Sequence, residues 1–144
     1  MKENEVANIK PSALTIARVL VAVVFASNIL CVLQFIVTPE AHTAAYQLQG
    51  PSAVAIVQSF GICFLMWNAT YPPVIAQPAK YRVLFTVVIA QQVIGLVGES
   101  ILLASLGPGL TTLAGSIVRF IVFDAAGLVL LAIAFVLTRP YSLR

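Results

Sequence analysis

The chain has 144 residues, 60% of them hydrophobic and 9% charged, with a net charge of +3 and two cysteines. Soluble domains carry about a quarter charged residues, so the composition excludes a water-soluble core, a disordered chain and a disulfide scaffold. The expected class is all-α: an integral membrane four-helix bundle running up-down-up-down.

Residues 1–12 read as a cytoplasmic leader of mixed charge. Four apolar stretches follow, Ala13–Val37, Ser52–Tyr71, Val83–Leu106 and Leu110–Thr138, of 25, 20, 24 and 29 residues. Each reaches the roughly 20 residues that cross about 30 Å of hydrocarbon as a helix. Helices are required because backbone polar groups in lipid must be satisfied internally. Residues 13–138 thus form the transmembrane domain, and 139–144 a cytoplasmic tail. The first stretch exceeds the roughly 7–15 apolar residues of a signal peptide, so it is expected to stay as a span.

The connectors carry turn chemistry. Thr38-Pro39-Glu40 ends the first helix and Gly50-Pro51-Ser52 opens the second, with proline suited to a helix entry. Tyr71-Pro72-Pro73 is expected to stop the second helix, because proline lacks an N–H and restricts its neighbour. Gly107-Pro108-Gly109 makes a tight hairpin between helices three and four, and Arg139-Pro140 closes the fourth.

Basic and bare connectors alternate. Lys2, Lys10, Lys80, Arg82, Arg139 and Arg144 fall on one side, whereas Thr38–Pro51 and Gly107–Gly109 hold no Lys or Arg. Positive connectors stay cytoplasmic, so both termini are expected there, in the cytoplasmic membrane. Arg18 snorkels toward the same headgroups, and Tyr71, Tyr81 and Tyr141 are expected at that boundary. The net charge follows from this topology and implies no nucleic-acid partner.

Missing residues narrow the chemistry. His42 is the single histidine and is expected in an exposed first loop, which excludes bis-histidine haem and argues against a metal site. Cys31 and Cys63 form no CxxC pair and read as small packing residues. No glycine-rich phosphate loop, GxSxG or HExxH occurs. No cofactor and no catalytic residue are expected.

Charges inside the spans are the unusual feature. Glu99, Arg119 and Asp124 lie within the third and fourth stretches, where an ionisable side chain costs at least about 2.5–3.5 kcal/mol unless it faces protein or water. Folding the hairpin about Pro108 sets Glu99 opposite Ile117, two residues from Arg119, and Asp124 opposite Gln92. Folding it about Gly109 sets Glu99 opposite Arg119 and Asp124 opposite Ile94, so Gln91 or Gln92 is expected to reach Asp124. An intramembrane Glu99–Arg119 ion pair is therefore expected. Removing one partner should cost roughly 3–5 kcal/mol, largely restored in the double substitution. Arg119 and Asp124 are five residues apart, about 140° around the helix, so they do not share a face. Gln34 and Gln58 lie at the depth of Glu99, and with Glu99 and Arg119 they are expected to line a polar pocket open to the non-cytoplasmic side. Asn28 and Asn68 are less obviously connected.

Gly61-Ile-Cys-Phe-Leu-Met-Trp-Asn-Ala-Thr-Tyr-Pro-Pro73, followed by Pro78-Ala-Lys-Tyr-Arg82, resembles the second-helix exit and basic turn of small DoxX-like four-helix membrane proteins. The resemblance implies a four-crossing fold and an accessory membrane role, and carries over no active-site residue.

Three functions compete. The first is an accessory or scaffold subunit or homo-oligomer, locked by its polar residues, with membrane lipids and a larger complex as partners. The second is a transporter or binding protein for a small molecule around Glu99 and Arg119. The third is a lipid- or quinone-linked enzyme. The topology has a direct test in intact cells, using single cysteines after Cys31 and Cys63 are replaced. External maleimide should label a probe within Thr43–Gln49 and miss one near Ala79; the reverse pattern would invert the orientation.

Overall fold

The computed structural model describes residues 9–139. The expectations placed on Lys2, Pro140, Tyr141, Arg144 and most of the leader lie outside them. Helix α1 spans Pro11–Val37, α2 Glu40–Thr43 with a 3₁₀ turn at Ala44–Tyr46, α3 Pro51–Asn68, α4 Tyr71–Ala76, α5 Arg82–Ser105 and α6 Thr111–Leu137. No strand occurs among the described residues. Four segments are long and apolar enough to cross a membrane: α1, α3 continued by α4, α5 and α6.

One boundary departs from expectation. The second span breaks at Ala69–Thr70, and Tyr71-Pro72-Pro73 opens α4 instead of ending a helix. Prolines in a first turn lose no intrahelical hydrogen bond, so the pair is a start signal here. The other span limits fall within two residues of those expected.

The spans pack in the order α3, α1, α6, α5, and α5 returns toward the second span through α4. Helices α3 and α5 therefore do not close on each other along their length. Neighbours run antiparallel. Asn28 meets Asn68 where Ile36 meets Gln58, and Gln92 meets Asp124 where Arg82 meets Thr138.

The two halves of the bundle differ. At the basic end, Ala17, Val21 and Val24 of α1 pack with Tyr71 and Val74 of α4, Phe85 and Val88 of α5, and Leu131 and Ala134 of α6. Arg82 finishes this half. Its guanidinium lies 4.0 Å from the Phe135 ring centre and donates to the Thr138 carbonyl at 2.9 Å. It thereby supplies a cation and donors to the free carbonyls of the α6 C-terminus. Tyr71, expected at the boundary, is instead fully buried.

At the bare end the first connector is not an open loop. Gln47, in the left-handed region at φ 53°, donates to the Gly109 carbonyl at 3.2 Å and accepts from Leu113 N–H at 3.1 Å. It thus caps the first turn of α6 from another part of the chain. Ser116 donates to the Ala45 carbonyl at 2.8 Å. His42 is half-buried, its ring edge-on to Phe35 at 5.1 Å; its expected exposure is corrected by this folding-over.

Large apolar side chains cover the outside of all four spans, among them Val37, Met66, Ile94 and Val122. Such a surface suits hydrocarbon. Ala79 is buried whereas Lys80 is exposed, so the inner labelling probe belongs on Lys80.

Glycine marks a close helix approach between α1 and α3. A Cβ on Gly61 would stand 2.8 Å from Ile36 Cγ1 and 3.0 Å from Phe35 Cβ, whereas one on Gly98 would meet nothing within 4 Å. Gly61→Ala should therefore lower the unfolding free energy in mixed micelles by about 1–3 kcal/mol through overpacking. Gly98→Ala should be neutral or stabilising by up to about 1 kcal/mol through helix propensity.

Candidate functional site

A layer of polar side chains crosses the bundle near mid-depth, where the packed half ends. Asn28 Nδ2 donates to Asn68 Oδ1 at 3.0 Å and to Tyr71 Oη at 3.4 Å. Tyr71 Oη donates to Gln92 Oε1 at 3.3 Å, and Gln92 Nε2 donates to Asp124 Oδ1 at 2.9 Å. The chain thus joins α1, α3, α4, α5 and α6. Asn28, Asn68, Tyr71 and Gln92 are each at most 3% exposed, so these bonds replace water for groups that have no access to it, although Asn28 Oδ1 is buried without a partner among the described residues. Gln91 lies outside this series of bonds, accepts from Thr70 Oγ1 at 3.0 Å, and ties α5 to the break in the second span.

Two glycines make room for the layer. A Cβ on Gly127 would lie 3.0 Å from Gln92 Nε2, and one on Gly95 would lie 2.6 Å from Asp124 Oδ2. Bare backbone at these points lets the amide and the carboxylate enter the helix interface.

Beyond the layer, toward the bare end, the bundle is hollow. A cavity of about 340 Å³ lies between α3 and α5. Phe60, Cys63, Phe64 and Trp67 line it from α3, Gln92, Gly95, Glu99 and Leu102 from α5, and Ile117, Phe120 and Asp124 from α6. Phe60, Cys63 and Leu102 are exposed at its mouth, and Gln92 and Ile117 are buried at its floor. A second cavity of about 290 Å³ is lined by Cys31, Gln34, His42, Ser116, Arg119 and Phe123 among others. Phe35, Tyr46 and Phe120 line both. Phe35 packs edge-on to Tyr46 and Phe120, each at 6.1 Å.

Tyr46 is the polar member of this wall. Burial, then the neighbouring Cys31 and Glu99, push its phenol up to about 12 despite Arg119 nearby. It therefore presents a neutral hydroxyl at physiological pH.

The expected site residues separate. Gln92 and Asp124 meet, as the hairpin register implies. Glu99 and Arg119 do not pair: Arg119 donates to Ser116 Oγ at 3.0 Å, and Glu99 Oε2 is buried without a hydrogen-bond partner among the described residues. They line different cavities. The reason is angular, since Arg119 sits about 140° around α6 from Asp124, which faces α5. Gln34 lies with Arg119 in the second cavity. Gln58 lines neither and is exposed, donating to the Ile36 carbonyl at 3.2 Å. The single pocket expected from Gln34, Gln58, Glu99 and Arg119 is thus replaced by two. Asn28, Asn68 and Tyr71 are the residues that sequence reasoning left unconnected. The available signal was two asparagines within apolar spans.

Separation of Glu99 from Arg119 has an energetic signature. The losses for Glu99→Gln and Arg119→Gln should add in the double variant to within about 0.5 kcal/mol, measured by equilibrium unfolding in micelles. Mutual rescue would mean that the pair forms after all.

No protein family, curated protein or solved structure matches the chain.

Proposed function

We propose that the chain is a multi-pass protein of the cytoplasmic membrane, both termini inside, that binds or carries a small amphipathic molecule in the cavity between α3 and α5. The observation that carries this reading is the cavity itself. Its volume of about 340 Å³ lies in the range of small-molecule sites, and such sites combine apolar walls with a few polar groups. Its mouth lies between α3 and α5, which do not close on each other, so a molecule dissolved in the bilayer has a direct route in. The polar layer supports the reading by division of labour. Gln92 engages Asp124 and holds the bundle, whereas Glu99 takes no part in that bonding.

A scaffold role in a larger complex is the second reading, favoured by the same layer, which locks four spans without a ligand. Kinship with small DoxX-like proteins belongs to this proposal as well, supported by the four-crossing plan.

A thermal-stability screen of the purified protein in detergent tests the first reading, with phospholipids, quinones, fatty acids and lipophilic amines as probes. A ligand at about 100 times its Kd should stabilise the folded protein by about 2.7 kcal/mol. That gain should vanish in Cys63→Trp, whose indole blocks the mouth. A panel in which no compound stabilises the wild type would contradict the reading.

A further inference from the structure

We infer that the cavity between α3 and α5 selects a lipophilic organic cation, such as an alkyl or aryl ammonium group; the inference rests on the binding-cavity reading above. Two independent features of the lining point to this chemistry.

The first is charge. Glu99 and Asp124 line the cavity, and no Lys, Arg or His among the described residues does. The guanidinium at this depth, Arg119, lines the other cavity and donates to Ser116. Asp124 keeps one oxygen on Gln92 and turns the other toward Gly95. Glu99 Oε2 is buried with no hydrogen-bond partner among the described residues. Two acidic groups in a pocket that no described basic side chain lines must each hold a proton or meet a cation, and an entering ammonium group takes the place of such a proton. An anionic headgroup or fatty acid meets charge of its own sign there.

The second is the wall. Among the described residues six aromatic side chains line this one cavity: Phe35, Tyr46, Phe60, Phe64, Trp67 and Phe120. Ring faces attract a desolvated cation, indole most strongly, and aromatic cages for quaternary ammonium groups use this effect. Trp67 and Asp124 abut the same bare backbone. A Cβ on Gly95 would lie 3.4 Å from Trp67 Cη2 and 2.6 Å from Asp124 Oδ2. Indole and carboxylate are therefore side by side, the pair that an ammonium group with an apolar substituent requires. A hydrated metal ion suits neither the rings nor the carboxylate count, since no group of three metal-ligating side chains occurs among the described residues.

The test uses the one tryptophan in the chain as reporter. Trp67 emission is followed in detergent-solubilised full-length protein during titration with benzyltrimethylammonium. Parallel titrations use neopentylbenzene, in which carbon replaces the charged nitrogen, and benzenesulfonate. The expected result is a saturable change with the cation at an affinity at least about tenfold above either control. Glu99→Gln should weaken the cation about tenfold and leave the neutral isostere unchanged, and Arg119→Gln should alter neither by more than about twofold. The comparison of three ligands on wild-type protein needs no variant, so a folding defect in Glu99→Gln does not blunt it. Equal affinity for cation and isostere overturns the cation inference and leaves the binding cavity standing. Preference for the sulfonate overturns it as well. Absence of any saturable binding overturns both the inference and the reading beneath it.

Discussion

An amide buried between apolar helices must find a partner or destabilise the fold by several kcal/mol, and that requirement fixes this bundle. Tyr71 and Gln92 each act in two directions, accepting from one neighbour and donating to the next. Together they carry the chain of bonds from Asn28 to Asp124. Van der Waals packing between apolar helices is tolerant of rotation, because lipid tails compete equally well for the same surface. Directional bonds are not tolerant. Once Gln92 reaches Asp124 and Tyr71 reaches Gln92, the rotations of α4, α5 and α6 are set, and Asn28 aligns α1 and α3 with them.

The division into a filled half and a hollow half follows. Below the layer, Phe85, Val88, Leu131 and Tyr71 fill the space with no exposure, and the short helix α4 closes the second span against α5. Above the layer no described element is the equivalent of α4 on that side. The connector that folds over the bare end ties to α6 through Gln47 and Ser116, so no described element covers the gap between α3 and α5. Large rings then line the opening and do not plug it. Glu99 stands in that gap, spared from the lock.

Much of the architecture was legible in the chain because hydropathy and span length act locally. The four spans, the hairpin at Gly107–Gly109 and the Gln92–Asp124 contact all follow from counting residues along one direction. Depth is a one-dimensional quantity. Azimuth is not, and Glu99 and Arg119 share a depth while facing different cavities. The Asn28–Asn68 contact escaped for a related reason. Reflection about the middle of the first connector misplaces one against the other by about two turns, because that connector coils into α2 and a 3₁₀ turn and is not a symmetric loop. Pro72-Pro73 misled because a proline pair marks a helix start as readily as a stop. The aromatic lining was invisible since its rings come from α1, the first connector, α3 and α6, which no spacing within one helix connects.

The central claim is that the buried layer works as one connected unit, and a double-mutant cycle between its two pivots tests this most directly. Tyr71→Phe removes a single hydroxyl, Gln92→Leu removes the amide it meets, and unfolding free energies are measured for both and for the double variant in one micelle system. Connected groups should show a coupling of about 0.6–1.7 kcal/mol, because after either loss the other has already lost its partner. Strict additivity, with the double variant losing the full sum of the two single losses, would contradict the account and leave the bundle held by apolar packing alone.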